Sequence, residues 1–247
     1  MGYGEKVTNE SKRRSWLLVP ASKAAEIESA ARSGADVIVL DLFELVAEKD
    51  KAAARADARK SMGALRAGGT EVFAQIDGSA PAEDLDACTW PGLAGVVVSR
   101  AESAEQVEAI STTLTALEKA RGIPADTIKI VPALETARSN HEAYDILRAS
   151  PRVWGATLGR ADLVMDLRPE PSGEIHLMPY LMQRLVIVAG AAGVTPLGAW
   201  WRAPDRGLLA TPENTRKAAH RGRAIGFKGA MCLRAEQVDA LNSVFSA

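Results

Sequence analysis

The stretch VPALETARSN (131–140) is apolar as far as Leu134 and then delivers Glu135. LGRADLVMDL (158–167) repeats the arrangement, with Asp162 placed just beyond the apolar run VWGATLG (153–159). The two acids are 162 − 135 = 27 residues apart, the length of one strand, one helix and their loops. Twice at that spacing, a buried run ends in a carboxylate. The pattern reads as successive β/α units whose strands carry charge at their C-terminal ends.

Outward from this pair, the same unit recurs along the chain. Short runs rich in apolar and β-branched residues lie at Trp16–Pro20, Asp36–Leu42, Glu71–Asp77, Leu93–Ser99, Ile128–Glu135, Val153–Gly159, Thr195–Trp200 and Gly229–Leu233. Stretches of helical character fall at 23–33, 48–67, 81–88, 103–121, 139–149, 177–193, 213–225 and 235–245. In the fourth of these, Val107, Ile110, Leu114 and Leu117 recur three or four residues apart. The strands show no clean polar face, as expected where both faces are covered. Gly34, Gly68, Gly69, Gly122, Gly193 and Gly226 stand where helices stop.

Eight strand–helix units predict a parallel sheet closed into a (β/α)8 TIM barrel, the α/β fold that commonly fills about 250 residues as one domain. An open doubly wound sheet would call for a Gly-x-Gly-x-x-Gly turn after its first strand, and VPASKAAE (19–26) has none. The expected organisation is a polar N-terminal arm over 1–13, then a single barrel domain over 14–247.

Lys and Arg number 30 against 31 Asp and Glu, and 47% of the 247 residues are hydrophobic. That balance offers no electrostatic footprint for nucleic acid or an anionic membrane and favours a small-molecule partner. No run approaches the ~20 apolar residues of a membrane span, and MGYGEKVTNESKRR has no apolar core for a leader, so a cytoplasmic protein is expected. Cys88 and Cys232 read as reduced core residues. His141, His176 and His220 share no metal-ligand spacing and read as surface or packing residues.

In a barrel the active site lies at the C-terminal strand ends. Those ends carry Asp41 and Glu44, Gln75 and Asp77, Arg100, Glu135, Arg160 and Asp162, Trp200 and Trp201, and Arg234. Two carboxylates without a nearby His or Cys form a hard donor set, suited to Mg²⁺ completed by water and substrate oxygens. Two other uses stand beside this one. The acids could be a glycosidase pair with Trp200 and Trp201 as a sugar platform. Alternatively, Asp162 caps a helix while Glu135 pairs with Arg160 or Arg138.

RRSWLLVPAS (13–22), GADVIVLDLFELV (34–46), LETA (134–137), LGRADLVMDL (158–167), GFKGAMCL (226–233) and EQVDALNSVF (236–245) fall in order along the chain. Together they resemble the citrate lyase β-subunit-like branch of the HpcH/HpaI aldolase superfamily. The resemblance implies a (β/α)8 barrel that makes or breaks carbon–carbon bonds in citryl-CoA, malyl-CoA and related 2-hydroxy or 2-oxo acids. It implies Glu135 and Asp162 as Mg²⁺ ligands and Arg14 as the clamp on the substrate's carboxylate and oxo group. It also implies a homo-oligomer, a trimer or hexamer. Asp41 matches the first residue of the family's Asp-Leu-Glu-Asp signature and, with Glu44, is a candidate general base.

The departures are specific. Phe43 stands where that signature has its Glu, and Glu44 replaces its last Asp. Gln75 replaces the arginine of Val-Arg-Ile-Asn, Ser99-Arg100 replaces Pro-Lys, and Leu233-Arg234-Ala235 lacks the family's His-Pro. Losing a cation that faces developing charge costs a few kcal/mol of transition-state stabilisation. Gln75 and Arg160, with Trp200 beside them, therefore mark an altered substrate pocket, and use of a CoA thioester stays open. The alternative is a barrel that binds metal and acid without chemistry, as a subunit or binding protein.

Overall fold

The computed structural model describes residues 12–159, 163, 166, 167, 171–198 and 211–246, with the backbone alone over 171–177. Its strands are β1 (Ser15–Pro20), β2 (Val37–Asp41), β3 (Glu71–Asp77), β4 (Leu93–Ser99), β5 (Lys129–Leu134), β6 (Gly155–Leu158), β7 (Thr195–Gly198) and β8 (Gly229–Cys232). They are parallel and close in sequence order, β8 pairing with β1 through Ser15 and Ala230. The expected TIM barrel is the observed fold.

The helices among the described residues are α1 (Ala24–Ala31), α2 (Lys51–Arg66), α3 (Ala82–Cys88), α4 (Ala104–Ala120), α5 (Ala137–His141), α6 (Ala143–Arg148), α7 (Pro171–Ala192), α8 (Pro212–Ile225) and α9 (Val238–Phe245). None is long and apolar enough to cross a membrane. The single helix expected over 139–149 is two short ones. Two Arg184 nitrogens, at 3.1 and 2.6 Å, donate to the Asn140 carbonyl and take the place of the next helical N–H. The helix before β7, expected from 177, starts at Pro171.

Alternation along each strand divides the core in two. Leu17, Ile38, Leu40, Ala74, Ile76, Val96, Val98, Leu134, Ala156 and Leu158 face outward beneath the helices. Trp16, Leu18, Val37, Val39, Phe73, Val97, Val131, Ala133, Leu197 and Met231 fill the barrel interior. Both cysteines are buried free thiols, and burial pushes each up to about 12, which removes them from nucleophilic chemistry.

The N-terminal end of the barrel is plugged by aromatic rings. Trp16 lies 4.6 Å from Phe73 and 5.7 Å from Trp154, centroid to centroid. Gly95 makes room for this packing, because a Cβ there would overlap the Phe73 ring. The Arg13 guanidinium caps the stack, 4.4 Å over Trp154, and pairs with Glu71 at 2.7 Å. Arg13, the last residue of the polar arm expected over 1–13, is therefore part of the barrel base.

Among the described residues, one ion pair is fully buried. Arg152 and Glu118, both about 1% exposed at the side chain, meet at 2.6 and 2.9 Å. The same carboxylate accepts the N–H groups of Asp126 and Ile128 at the entry to β5. Removing one partner strands the other charge in the interior. Arg152→Met is expected to cost about 3–5 kcal/mol in urea unfolding, with part of the loss recovered in Arg152→Met/Glu118→Gln.

Candidate active site

Strand alternation brings the mouth of the barrel together. Because Leu40 and Leu42, Ala74 and Ile76, Val98, and Leu134 all face outward, Asp41, Gln75, Ser99 and Glu135 face inward at the C-terminal ends of β2 to β5. Asp41 is register partner to Gln75, and Asp77 to Ser99. The four inward residues are buried, Asp41 and Ser99 at 0%, Gln75 at 3% and Glu135 at 5% exposure.

Each buried polar group has an identifiable support. Asp41 Oδ1 accepts the N–H groups of Phe43 and Glu44 at 2.8 and 3.1 Å, and Oδ2 accepts that of Leu45 at 2.5 Å. Burial pushes the Asp41 carboxyl above its usual range, and the three N–H groups pull the other way. Asp41 shapes the loop after β2. Both of its oxygens accept hydrogen bonds there.

Glu135 Oε2 accepts the Arg100 N–H at 2.7 Å. Arg100 sits at φ 54°, in the left-handed region that costs a non-glycine residue about 1 kcal/mol or more, and this turn aims its N–H at the carboxylate. Gly159 lies against the same side chain. A Cβ at 159 would overlap Glu135 Cγ and fall 2.7 Å from Oε1. The glycine that ends the strand-six run is thus the space Glu135 occupies.

A hydrogen-bonded chain crosses three strand ends. Gln75 Nε2 donates to Ser99 Oγ at 3.0 Å, and Ser99 Oγ donates to Glu44 Oε1 at 3.2 Å. Above it, the Arg100 guanidinium pairs with Asp77 at 3.0 Å and lies 4.7 Å over the Phe43 ring. Lys51 stands 4.8 Å from Phe43, so the residue that replaces the family's acid is held by two cations. Burial raises the Asp77 carboxyl, but the Ser79 hydroxyl and N–H and the Arg100 charge outweigh it and hold Asp77 below the usual range.

Arg14 is not at the mouth. It precedes β1, at the opposite end of the barrel, about 20 Å along a six-residue strand from the rim. Its guanidinium donates to both Asp36 oxygens at 2.7 and 2.8 Å and its N–H to Oδ2 at 2.9 Å. The expected clamp is a strut between β1 and β2. Arg160, Asp162 and Trp200 lie outside the described residues. His141 and His220 are exposed and take no part. The sequence reading passed over Ser99 as a group of the site; the inward parity of β4 could have found it.

The chain belongs to the HpcH/HpaI aldolase/citrate lyase family, whose profile matches residues 14–235, and within it to the citrate lyase β-like branch. It is 27% identical over 237 residues to the citrate lyase subunit beta of Haemophilus influenzae, covering 95% of this chain and 80% of that one. It is also 27% identical over 262 residues to an L-malyl-CoA/beta-methylmalyl-CoA lyase of Cereibacter sphaeroides, covering 94% and 79%. Among solved structures, the protein CitE of Mycobacterium tuberculosis in complex with magnesium and acetoacetate superposes with a TM-score of 0.73 at 25% identity, covering 95% of this chain and 91% of that one. The chemistry shared at family level is that of a carbon–carbon lyase.

Gly159→Ala tests the packing at the mouth. The added methyl is expected to swing Glu135 off the Arg100 N–H and to destabilise the fold by about 1–3 kcal/mol. Faster hydrogen exchange at the Arg100 amide, with most of the barrel unchanged, is the expected readout. An unchanged Arg100 amide would contradict the assignment.

Proposed function

We propose that the barrel mouth is the active site of a Mg²⁺-dependent carbon–carbon lyase acting on a 2-hydroxy or 2-oxo acid, free or as its CoA thioester. The observation that carries the reading is Glu135, a carboxylate 5% exposed at an interior strand end, beside further polar groups that face inward from neighbouring strands. Burying such a group is costly unless something charged or hydrogen-bonded uses it.

The donor chemistry fits a hard cation. Both cysteines are buried with protonated thiols, which leaves oxygen donors at the mouth. One or two carboxylates completed by water and substrate is the arrangement Mg²⁺ favours. Glu135 and Asp162 would hold it. Bound there, Mg²⁺ would polarise substrate oxygens and offset the negative charge that develops as the bond breaks.

The remaining roles fall to this chain's own side chains. Glu44, exposed and hydrogen-bonded to Ser99, is the acid placed to move a proton, since Asp41 is committed to its loop. Arg100, 45% exposed at the side chain, takes over from Arg14 as the described cation that meets an acid at the rim. Gln75, Arg160 and Trp200 complete the substrate pocket. Support for a CoA thioester comes from the malyl-CoA lyase relative. The protein would work in the cytoplasm as a homo-oligomer. Exposed Tyr144, Tyr180 and Ile187, on the packed helices α6 and α7, support a covering second copy.

Calorimetric titration of Mg²⁺ into the protein, with and without oxaloacetate or pyruvate, tests the reading. Mg²⁺ binding that strengthens with the oxo acid and disappears in Glu135→Gln is expected. Wild-type protein that takes up no Mg²⁺ would sink the metal-lyase reading and leave the non-catalytic barrel in its place.

A further inference from the structure

Two polar groups lie one inward step below the rim. Gln75 is two residues before Asp77 on β3, and Thr157 is two residues before Gly159 on β6. Both are 3% exposed. They stand three strands apart in an eight-stranded barrel, on nearly opposite walls. Ala156 and Leu158 face outward, which turns Thr157 into the interior. Its Oγ1 is buried without a hydrogen-bond partner. A buried hydroxyl of that kind calls for a ligand or a water.

The orientation of the Gln75 amide follows from its neighbours. The Ser99 hydroxyl donates its one proton to Glu44 Oε1 at 3.2 Å. Ser99 oxygen can then only accept from Gln75, which fixes the amide's nitrogen on Ser99 at 3.0 Å. The Gln75 oxygen is thereby turned away from Ser99, and Ser99 is the one side-chain partner of Gln75 among the described residues. Without Ser99 the amide has no reason to prefer one orientation.

We propose that Ser99 is a positioning residue that holds the Gln75 amide with its oxygen toward the cavity, and that Gln75 and Thr157 together select a hydroxyl-bearing acid. The Gln75 oxygen accepts from a substrate hydroxyl and opposes a carbonyl oxygen at the same place. The Thr157 hydroxyl, free to donate, meets an oxygen of the substrate's carboxylate from the other wall. This inference rests on the reading that the mouth binds an organic acid. It adds which oxidation level of that acid the floor distinguishes.

The test measures dissociation constants of L-malate and oxaloacetate by calorimetry, in Mg²⁺, for the full chain and four variants. Ser99→Ala is expected to move the malate-to-oxaloacetate ratio about tenfold toward oxaloacetate, the worth of one neutral hydrogen bond. Ser99→Thr, which keeps the hydroxyl, should leave the ratio as in the wild type. Gln75→Leu removes the acceptor without relying on Ser99 and should move the ratio in the same direction. Thr157→Val should weaken both acids about fivefold, with the ratio and the melting temperature retained. A ratio unmoved in both Ser99→Ala and Gln75→Leu overturns the relay while acid binding stands. Equal affinities in Thr157→Val and wild type remove Thr157 from the floor. If neither acid binds the wild type, the site reading fails first and this inference fails with it.

Discussion

A closed parallel barrel leaves each strand residue two choices, under the helices or into the interior, and the choice alternates between neighbours except where the β3/β4 register shifts at Ala94. Everything else in this molecule is arranged around that constraint. Along β2 the outward set is Ile38 and Leu40, and the inward set is Val37, Val39 and then Asp41. An apolar interior penalises an unpaired charge in mid-barrel, and the described ionisable groups that face it stand at its two ends. At the N-terminal end Arg13 and Glu71 pair over aromatic rings, and at the C-terminal end Asp41 and Glu135 accept backbone N–H groups. The two ends are chemically different closures of one apolar column.

The difference explains what could be read from the chain. Alternating apolar runs and helix-ending glycines carry the barrel, because both depend on local pattern and φ, and all eight strands fall within or beside the runs seen in the sequence. Glu135 was legible for the same reason, as an acid that terminates a buried run. Arg14 was misplaced because a motif match carries no information about which end of a strand a residue occupies. It precedes the first strand residue, so Asp36, before β2, is the acid it meets. Asp41 has the right position and parity, but its use is decided by three N–H groups of the following loop, which no residue spacing reveals. The contact between Gly159 and Glu135 joins two strands and was equally invisible. A missing side chain leaves no pattern.

The break between α5 and α6 belongs to the same class of tertiary effects. Residues 139–149 have helical composition, yet Arg184 of α7 binds the Asn140 carbonyl and stops the first helix one turn after its Thr136–Ser139 capping box. Propensity is a weak prior where a guanidinium from another element competes for the backbone. The consequence reaches the site, because the capping box begins with the residue after Glu135.

The electrostatics of the mouth run in one direction. Gln75 is nearly dry, and a guanidinium at that depth would need a carboxylate to offset its desolvation. Asp41, its register partner, is committed to loop N–H groups, so an amide is the polar group this wall can hold without a counter-charge. The positive charge stands instead on Arg100, where solvent reaches it and Asp77 and the Phe43 ring fix its position. An exposed cation is inexpensive to keep and attracts anions over several ångströms, but it discriminates poorly among them. A buried amide attracts nothing at long range and discriminates by direction. Under the proposed function the mouth would separate capture from selection and join them through the consecutive residues Ser99 and Arg100. The left-handed turn at Arg100 makes this junction, with Ser99 facing Gln75 and the next N–H facing Glu135.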